Sequence, residues 1–179
     1  MKRPTEFLSG FTLIELLVVM AIILVLTLLA FPNYRLGEKL FFLEQSTISL
    51  AQNLRRAETS AMSAKEFQGI IPRGGYGLYL RIGDDYYTIF ADCDQNYQYT
   101  LTSACNGFPE KVEEVKLGSG VAIANLLPVS PLTVVFTAPT PLVTFSGPGN
   151  EATIVLALTG DAGKNRTVKV NKAGLIETQ

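Results

Sequence analysis

One carboxylate stands inside an otherwise apolar run. Phe11 to Tyr34 holds twenty-four residues with Glu15 as the only charge among them. A bilayer core takes about twenty apolar residues in helical form, so this run is long enough to span it. An ionisable group in such a segment is penalised by roughly 2.5–3.5 kcal/mol at the bilayer centre, and by less near one end. Glu15 is therefore a functional residue by default. In an apolar medium a lone carboxylate and a lone amine are each costly unless they pair, so the chemistry this residue suits is recognition of a buried cation. The bland alternative is that it snorkels to the headgroup level.

The other chemistry-bearing residues lead to fewer functions. The only two cysteines, Cys93 and Cys105, lie on the far side of the apolar run. In an oxidising compartment their pairing is the natural assignment, with two free thiols as the alternative. Asp92, Asp94 and Asn96 alternate like the opening of a calcium loop, and Asp84 with Asp85 adds oxygen ligands nearby. Such a loop wants Gly in sixth place and Glu in twelfth, where this chain has Tyr97 and Ser103. A solvated acidic hairpin is the reading, and no metal is expected. Gly160 to Lys164 superficially suggests a phosphate loop, yet it lacks the spacing and the following Ser or Thr. The chain has no histidine, which removes the usual general base, the common nucleophile triads and the most frequent metal ligand. No catalytic constellation stands out, so no enzyme and no cofactor are expected.

Upstream, Met1 to Gly10 carries Lys2, Arg3 and Glu6 and reads as a processing segment rather than structure. Its candidate small residue, Gly10, precedes the apolar stretch instead of coming after it, so cutting there would leave the helix on the mature protein. Positive charge at Lys2 and Arg3, with none until Arg35, places the N-terminus on the cytoplasmic side and exports the chain beyond about Arg35.

The run Gly10-Phe11-Thr12-Leu13-Ile14-Glu15 behind a basic leader resembles the prepilin N-terminus of type IV pilins and type II secretion pseudopilins. That resemblance spans Ser9 to Pro32. It implies cleavage between Gly10 and Phe11 by a prepilin peptidase, N-methylation of Phe11, and Glu15 as the fifth mature residue. The new amine on Phe11 supplies the missing cation: the carboxylate of one subunit could meet the terminal amine of its neighbour and set axial register. Pro32 occupies another family position.

Past the membrane, Leu36, Leu40, Leu43, Leu50, Leu54, Ala57, Ala61 and Ala64 recur at spacings of four and three, with Thr47 the one polar member, which predicts an amphipathic helix stripe. A helix from Phe11 to about Lys65 would be about 80 Å long at 1.5 Å per residue, so its second half must pack on something. Pro32 removes a ladder hydrogen bond and predicts a kink or local unwinding near Ala30 to Asn33. From Gly69 the pattern changes to short Tyr, Val, Ile, Thr and Phe runs broken by Gly and Pro, which predicts strands at Gly77 to Arg81, Tyr86 to Ala91, Val112 to Lys116, Thr133 to Thr137, Thr153 to Leu158 and Thr167 to Asn171. Thr159 to Asn165 reads as a hairpin connection, Lys172-Ala173-Gly174 as a turn before a short tail, and Leu126 to Pro148 as loop around one strand. The expected organisation is a leader over residues 1–10, a transmembrane and assembly helix over 11–34, an amphipathic helix over 35–66, and an exported β domain over 67–179. The fold class is α+β: a long N-terminal helix on an antiparallel sheet or two-sheet domain, as the pilin resemblance also implies.

Fifteen Lys plus Arg against sixteen Asp plus Glu give a net charge of −1, which is no polyelectrolyte binder. Leu54-Arg55-Arg56-Ala57-Glu58-Thr59-Ser60-Ala61, a Gly-rich first strand and a closing hairpin before a Gly are similar to the minor pseudopilin H and T-type fimbrial pilin group. This implies a low-copy subunit near a filament tip, whose partners are prepilin peptidase, other pilin or pseudopilin subunits and an inner-membrane assembly platform. Its expected location is the inner membrane, single-pass with a cytoplasmic N-terminus, and then the filament. The alternative is DNA capture during natural transformation. Only Lys164, Arg166, Lys169 and Lys172 cluster near the last hairpin, however, and Leu175 to Gln179 holds no cation, so backbone-dominated nucleic-acid affinity is not expected. Tyr76, Tyr79, Tyr86, Tyr87, Tyr97 and Tyr99 offer a third reading, adhesion, against which alternating tyrosines more often serve sheet packing.

Overall fold

A computed structural model describes residues 11–139 and 142–179, and the backbone alone for residues 29–36. The leader with Gly10, and the side chains of Leu36 and Pro32, lie outside the described residues. The chain divides into two compact units, Met1–Glu38 and Lys39–Gln179. A single helix α1 spans Leu13–Met62 and runs unbroken through Pro32. It ends close to the expected Lys65, with Ala64 already in the left-handed region at φ 47°.

In the second unit α1 buries one stripe: Leu43, Ser46, Thr47, Leu50, Ala51, Leu54, Ala57 and Ala61 are all at most 4% exposed. The four–three spacing places them on one face, as the sequence predicts. Leu40 and Ala64 do not join it: Leu40 is exposed at the start of the unit and Ala64 lies past the helix end. Thr47 and Ser46 are admitted because each hydroxyl is satisfied. Thr47 Oγ1 donates to the Leu43 carbonyl at 2.8 Å, and Ser46 Oγ accepts the Gly118 N–H at 2.8 Å. Gly118 leaves no room for a side chain, since a Cβ there would stand 2.8 Å from that of Phe42. Two exposed ion pairs flank the stripe, Glu44 to Arg166 at 2.8 Å and Arg56 to Glu113 at 2.7 Å.

Among the described residues the rest of the unit forms two antiparallel sheets: β1 Gly75–Leu80, β2 Tyr86–Asp92, β3 Lys111–Lys116, β4 Val121–Leu127, β5 Leu132–Thr137, β6 Leu142–Phe145, β7 Glu151–Leu158, β8 Asp161–Asn171 and β9 Ile176–Thr178. One sheet has the order β3-β2-β1-β5-β6 and the other β4-β7-β8-β9. The α1 stripe joins inward residues of both sheets, among them Leu78, Ile89, Val134, Phe136, Ile154, Leu156, Val168 and Val170, in one core.

Three expectations are corrected. Thr159 to Asn165 is not a seven-residue connection: only Thr159 and Gly160 turn, and Asp161 to Asn165 already belongs to β8, with a bulge where Leu158 pairs with Asp161 and Ala157 with Asn165. The segment Leu126 to Pro148 holds two strands, β5 and β6, and the end of β4, instead of one strand. The terminal tail forms β9, paired to Val168, Lys169 and Val170 of β8.

β1 is buried on both faces, because two different layers cover it. Tyr76, Leu78 and Leu80 point to the core. Gly77 and Tyr79 point outward, beside Phe90 of β2 and Val135 of β5, their antiparallel partners or neighbours. Phe90 and Val135 are fully buried yet lie outside the main core. Their cover is the loop between β2 and β3: Tyr99 packs its ring 5.2 Å from Tyr79 and 5.6 Å from Phe90, and Thr133 Oγ1 donates to the Tyr97 carbonyl at 3.2 Å. A disulfide joins Cys93 and Cys105 across this loop, with Cα atoms 5.3 Å apart.

Two stability measurements test this packing. Leu54→Ala, at a fully buried stripe position, should lower unfolding free energy by roughly 2–5 kcal/mol in a denaturant titration. Replacing both Cys93 and Cys105 by Ala should cost roughly 3 kcal/mol by release of the unfolded-chain constraint, and thermal unfolding of oxidised and reduced wild-type protein should differ by a comparable amount.

Candidate functional site: the helix N-terminus and the loop root

In the first unit Thr12 precedes α1 and Glu15 lies in its first turn. The Glu15 Oε2 accepts the Thr12 N–H at 3.1 Å and the Thr12 hydroxyl at 2.9 Å, while the Glu15 N–H lies 3.3 Å from Thr12 Oγ1. This is a reciprocal capping box: two backbone donors with no intrahelical partner are satisfied by the two side chains. The carboxylate also sits where the helix dipole favours negative charge. Glu15 is thus more than the charge awaiting a cation that its residue type suggests, and Thr12-x-x-Glu15 is a capping signature legible in the sequence. The two roles are compatible, because a carboxylate offers about four lone-pair sites and the box uses two.

Behind that cap the described apolar side chains of the first unit lie uncovered. Every large apolar side chain from Phe11 to Leu28 is exposed, Phe11 at 86% and Val19, the least, at 46%. A helix apolar on all sides is stable where something other than water surrounds it. Among the described residues no helix is long and apolar enough to cross a membrane. The described side chains of the run stop at Leu28, whereas the run itself reaches Tyr34.

The second cluster of chemistry-bearing groups is the root of the disulfide loop. Asp92 ends β2 and Glu110 immediately precedes β3; both are fully buried. Asp92 accepts the N–H of Gln95 at 2.7 Å through Oδ1 and that of Tyr97 at 2.9 Å through Oδ2. Glu110 accepts the Cys93 N–H at 3.2 Å, and the Thr100 N–H and hydroxyl at 2.9 Å each. Space for the Asp92 carboxyl exists because Gly74 lies beneath it, where a Cβ would overlap that carboxyl. One oxygen from each of Asp92, Asp94 and Glu110 falls within 4.8 Å of the others. Burial pushes the Asp92 carboxyl up to about 6; the Asp94 side chain and the Glu110 charge push the same way, against the N–H groups of Tyr97 and Gln95.

The calcium-like spacing therefore folds differently from its sequence pattern. Asn96 stays outside the acid cluster: its own amides donate to Asp94 at 3.2 and 2.9 Å, and its carbonyl accepts the Gln98 N–H. Asp84 is taken up by Arg81 at 3.0 Å. Glu110 is the member that sequence spacing misses, since only the pairing of Ala91 N–H with the Glu110 carbonyl brings it beside Asp92.

Of the four clustered cations, three are paired: Lys164 with Asp161 at 3.4 Å, Arg166 with Glu44 at 2.8 Å and Lys169 with Glu151 at 3.5 Å. Of the six tyrosines from Tyr76 to Tyr99, Tyr76 and Tyr87 are buried and Tyr97 is exposed, at 38%. The Tyr76 hydroxyl donates to the Lys65 carbonyl at 2.8 Å, and the Tyr87 hydroxyl accepts from the Asn53 amide at 2.7 Å. They tie α1 and the residues just beyond it to the first sheet.

Comparison with known proteins adds one sequence match and two structural ones. Residues 9–31 match the family described as the prokaryotic N-terminal methylation motif. No curated protein matches the chain. Two crystal structures of the type IV minor pilin FimU from Pseudomonas aeruginosa, in different space groups, are similar over 76% of this chain and 87% and 92% of theirs. The identities are 17% and 16% and the TM-score is 0.49 for both, a level at which no residue role is transferred. What the comparisons show of this chain is therefore a prokaryotic N-terminal methylation motif over residues 9–31.

Proposed function

We propose that this chain is a structural subunit, in a minor position, of a type IV pilus or a type II secretion pseudopilus. The observation that carries the reading is the methylation motif over residues 9–31, leading directly into a helix whose large apolar side chains from Phe11 to Leu28 are exposed. In this scheme the chain is stored in the inner membrane with its N-terminus cytoplasmic and residues beyond about Arg35 exported. Prepilin peptidase cuts between Gly10 and Phe11, and Phe11 is N-methylated. An assembly platform then moves the helix from lipid into a bundle of neighbouring subunits' helices. Apolar burial passes from one non-aqueous surround to another, so the transfer changes little hydrophobic free energy, and specificity must come from polar groups. Glu15 and the Phe11 amine are those groups. The minor position rests on the likeness of Leu54 to Ala61 to the pseudopilin H and T-type fimbrial pilin group.

Nucleic-acid capture is the weaker reading. Phosphate-dominated affinity scales with the number of cations available to phosphates, and three of the four in the expected patch already face carboxylates of this chain.

Intact mass and N-terminal fragmentation of the protein, expressed in membranes with and without a prepilin peptidase, test the proposal. Loss of Met1 to Gly10 with a methyl group on Phe11 is expected only when the peptidase is present; an uncleaved chain in its presence refutes the assignment. For Glu15→Leu the expected outcome is normal insertion and cleavage but poor recovery in sheared filaments or pseudopili. Incorporation at the wild-type level would remove the register role of the carboxylate.

A further inference from the structure

The loop that closes over the first sheet is held at its root by two acids and no base. Asp92 and Glu110 are both 0% exposed and between them accept five hydrogen bonds from the loop's own backbone and from Thr100. Asp94, on the loop, places a third carboxyl oxygen within 4.8 Å. Among the described residues no Lys or Arg forms an ion pair with any of the three: Lys111, next to Glu110, is paired with Glu114 at 2.7 Å, and Arg81 with Asp84. The ends of β1 and β5 that abut this root bring Gly74, Gly75 and Thr137, none of which titrates, and the Thr137 hydroxyl is committed to the Gly74 carbonyl at 2.9 Å. Adjacent buried carboxyls without a cation cannot all stay ionised at low cost.

We propose that the loop from Cys93 to Cys105 is a pH-sensitive flap whose closed state is held by a protonated Asp92. The acid proton bonds to the Asp94 carboxylate, while the Asp92 oxygens still accept the Gln95 and Tyr97 N–H groups. Closed, the flap covers Tyr79, Phe90 and Thr133. Loss of the proton sets two or three negative charges against one another and frees the flap, although the disulfide keeps its ends together. The direction is fixed by linkage. A carboxyl near 6 when closed, and near its ordinary value when the loop is open and solvated, binds more protons in the closed state. Closure is therefore strongest at or below the ordinary carboxylate value, weakens as pH rises from there through about 6, and levels off above it.

The test is amide hydrogen exchange of the full chain in detergent micelles between pH 5 and 8, corrected for intrinsic rates and read by mass spectrometry on peptides covering residues 94–104. Protection of this segment should be roughly tenfold greater at pH 5 than at pH 8, with β7 peptides unchanged. Asp92→Asn should flatten the profile. The exposed Asp94→Asn, which leaves the buried pair in place and substitutes an amide donor, should keep the fold and move the midpoint to lower pH. A wild-type profile without pH dependence overturns the proposal, as does an unaltered profile in both variants. If millimolar calcium at pH 8 restores the protection seen at pH 5, a cation rather than a proton holds the acids together, and the proposal fails on that outcome too.

Discussion

The buried stripe of α1 is the contact on which the folded unit depends. Leu43, Leu50, Leu54, Ala57 and Ala61 supply the layer against which inward residues of both sheets close into one core. Neither sheet is large, and several strands are short, β6 with four residues and β9 with three. Sheets of this size are marginal without a covering layer. The helix in turn relies on the sheets, because in water an amphipathic helix draws most of its stability from packing of its apolar face. The small residues Ala51, Ala57 and Ala61 let the strands approach closely, and Gly118 does the same from the strand side.

The same helix carries two surfaces of opposite logic. From Lys39 onward its apolar face is satisfied inside the unit. From Phe11 to Leu28 its apolar surface is complete around the axis and exposed. A surface of that kind is a commitment to an external partner, and it is non-selective, since one apolar surround serves about as well as another. Glu15 interrupts the uniformity. Within its own chain the carboxylate secures the helix start through Thr12, whose two hydrogen bonds hold it in place. A pre-positioned charge loses less side-chain entropy on pairing than a free one.

Legibility in the sequence tracked the range of the interactions. The α1 stripe was readable because a helix period is set within a few residues, and six strands were readable from alternating or β-branched runs. β4 escaped because a bulge between Ile123 and Asn125 breaks its alternation. β6 escaped because four residues among prolines look like loop, and β9 because its three residues are held by β8 rather than by their own propensity. At the site, Glu15 and the cysteines were singled out from residue type and position, and the capping partner Thr12 stood in plain view three residues away. Glu110 was not visible beside Asp92, since their proximity is made by the β2–β3 pairing.

By itself the sequence determined what local order and covalent chemistry decide: a basic N-terminal segment, a methylation motif, an apolar run interrupted by one carboxylate, an amphipathic continuation and a pair of cysteines. These depend on neighbours in the chain and on transfer energies of single residues, so they are written in one dimension. Tertiary structure alone decided which face of the first sheet is doubly covered, which acids share a buried root without a base, and which cations of the last hairpin are neutralised by carboxylates from the helix and from β7. Those outcomes depend on strand register and on charges brought together from distant parts of the chain. Register is settled by the sum of many weak contacts across the fold, which no short stretch of sequence contains.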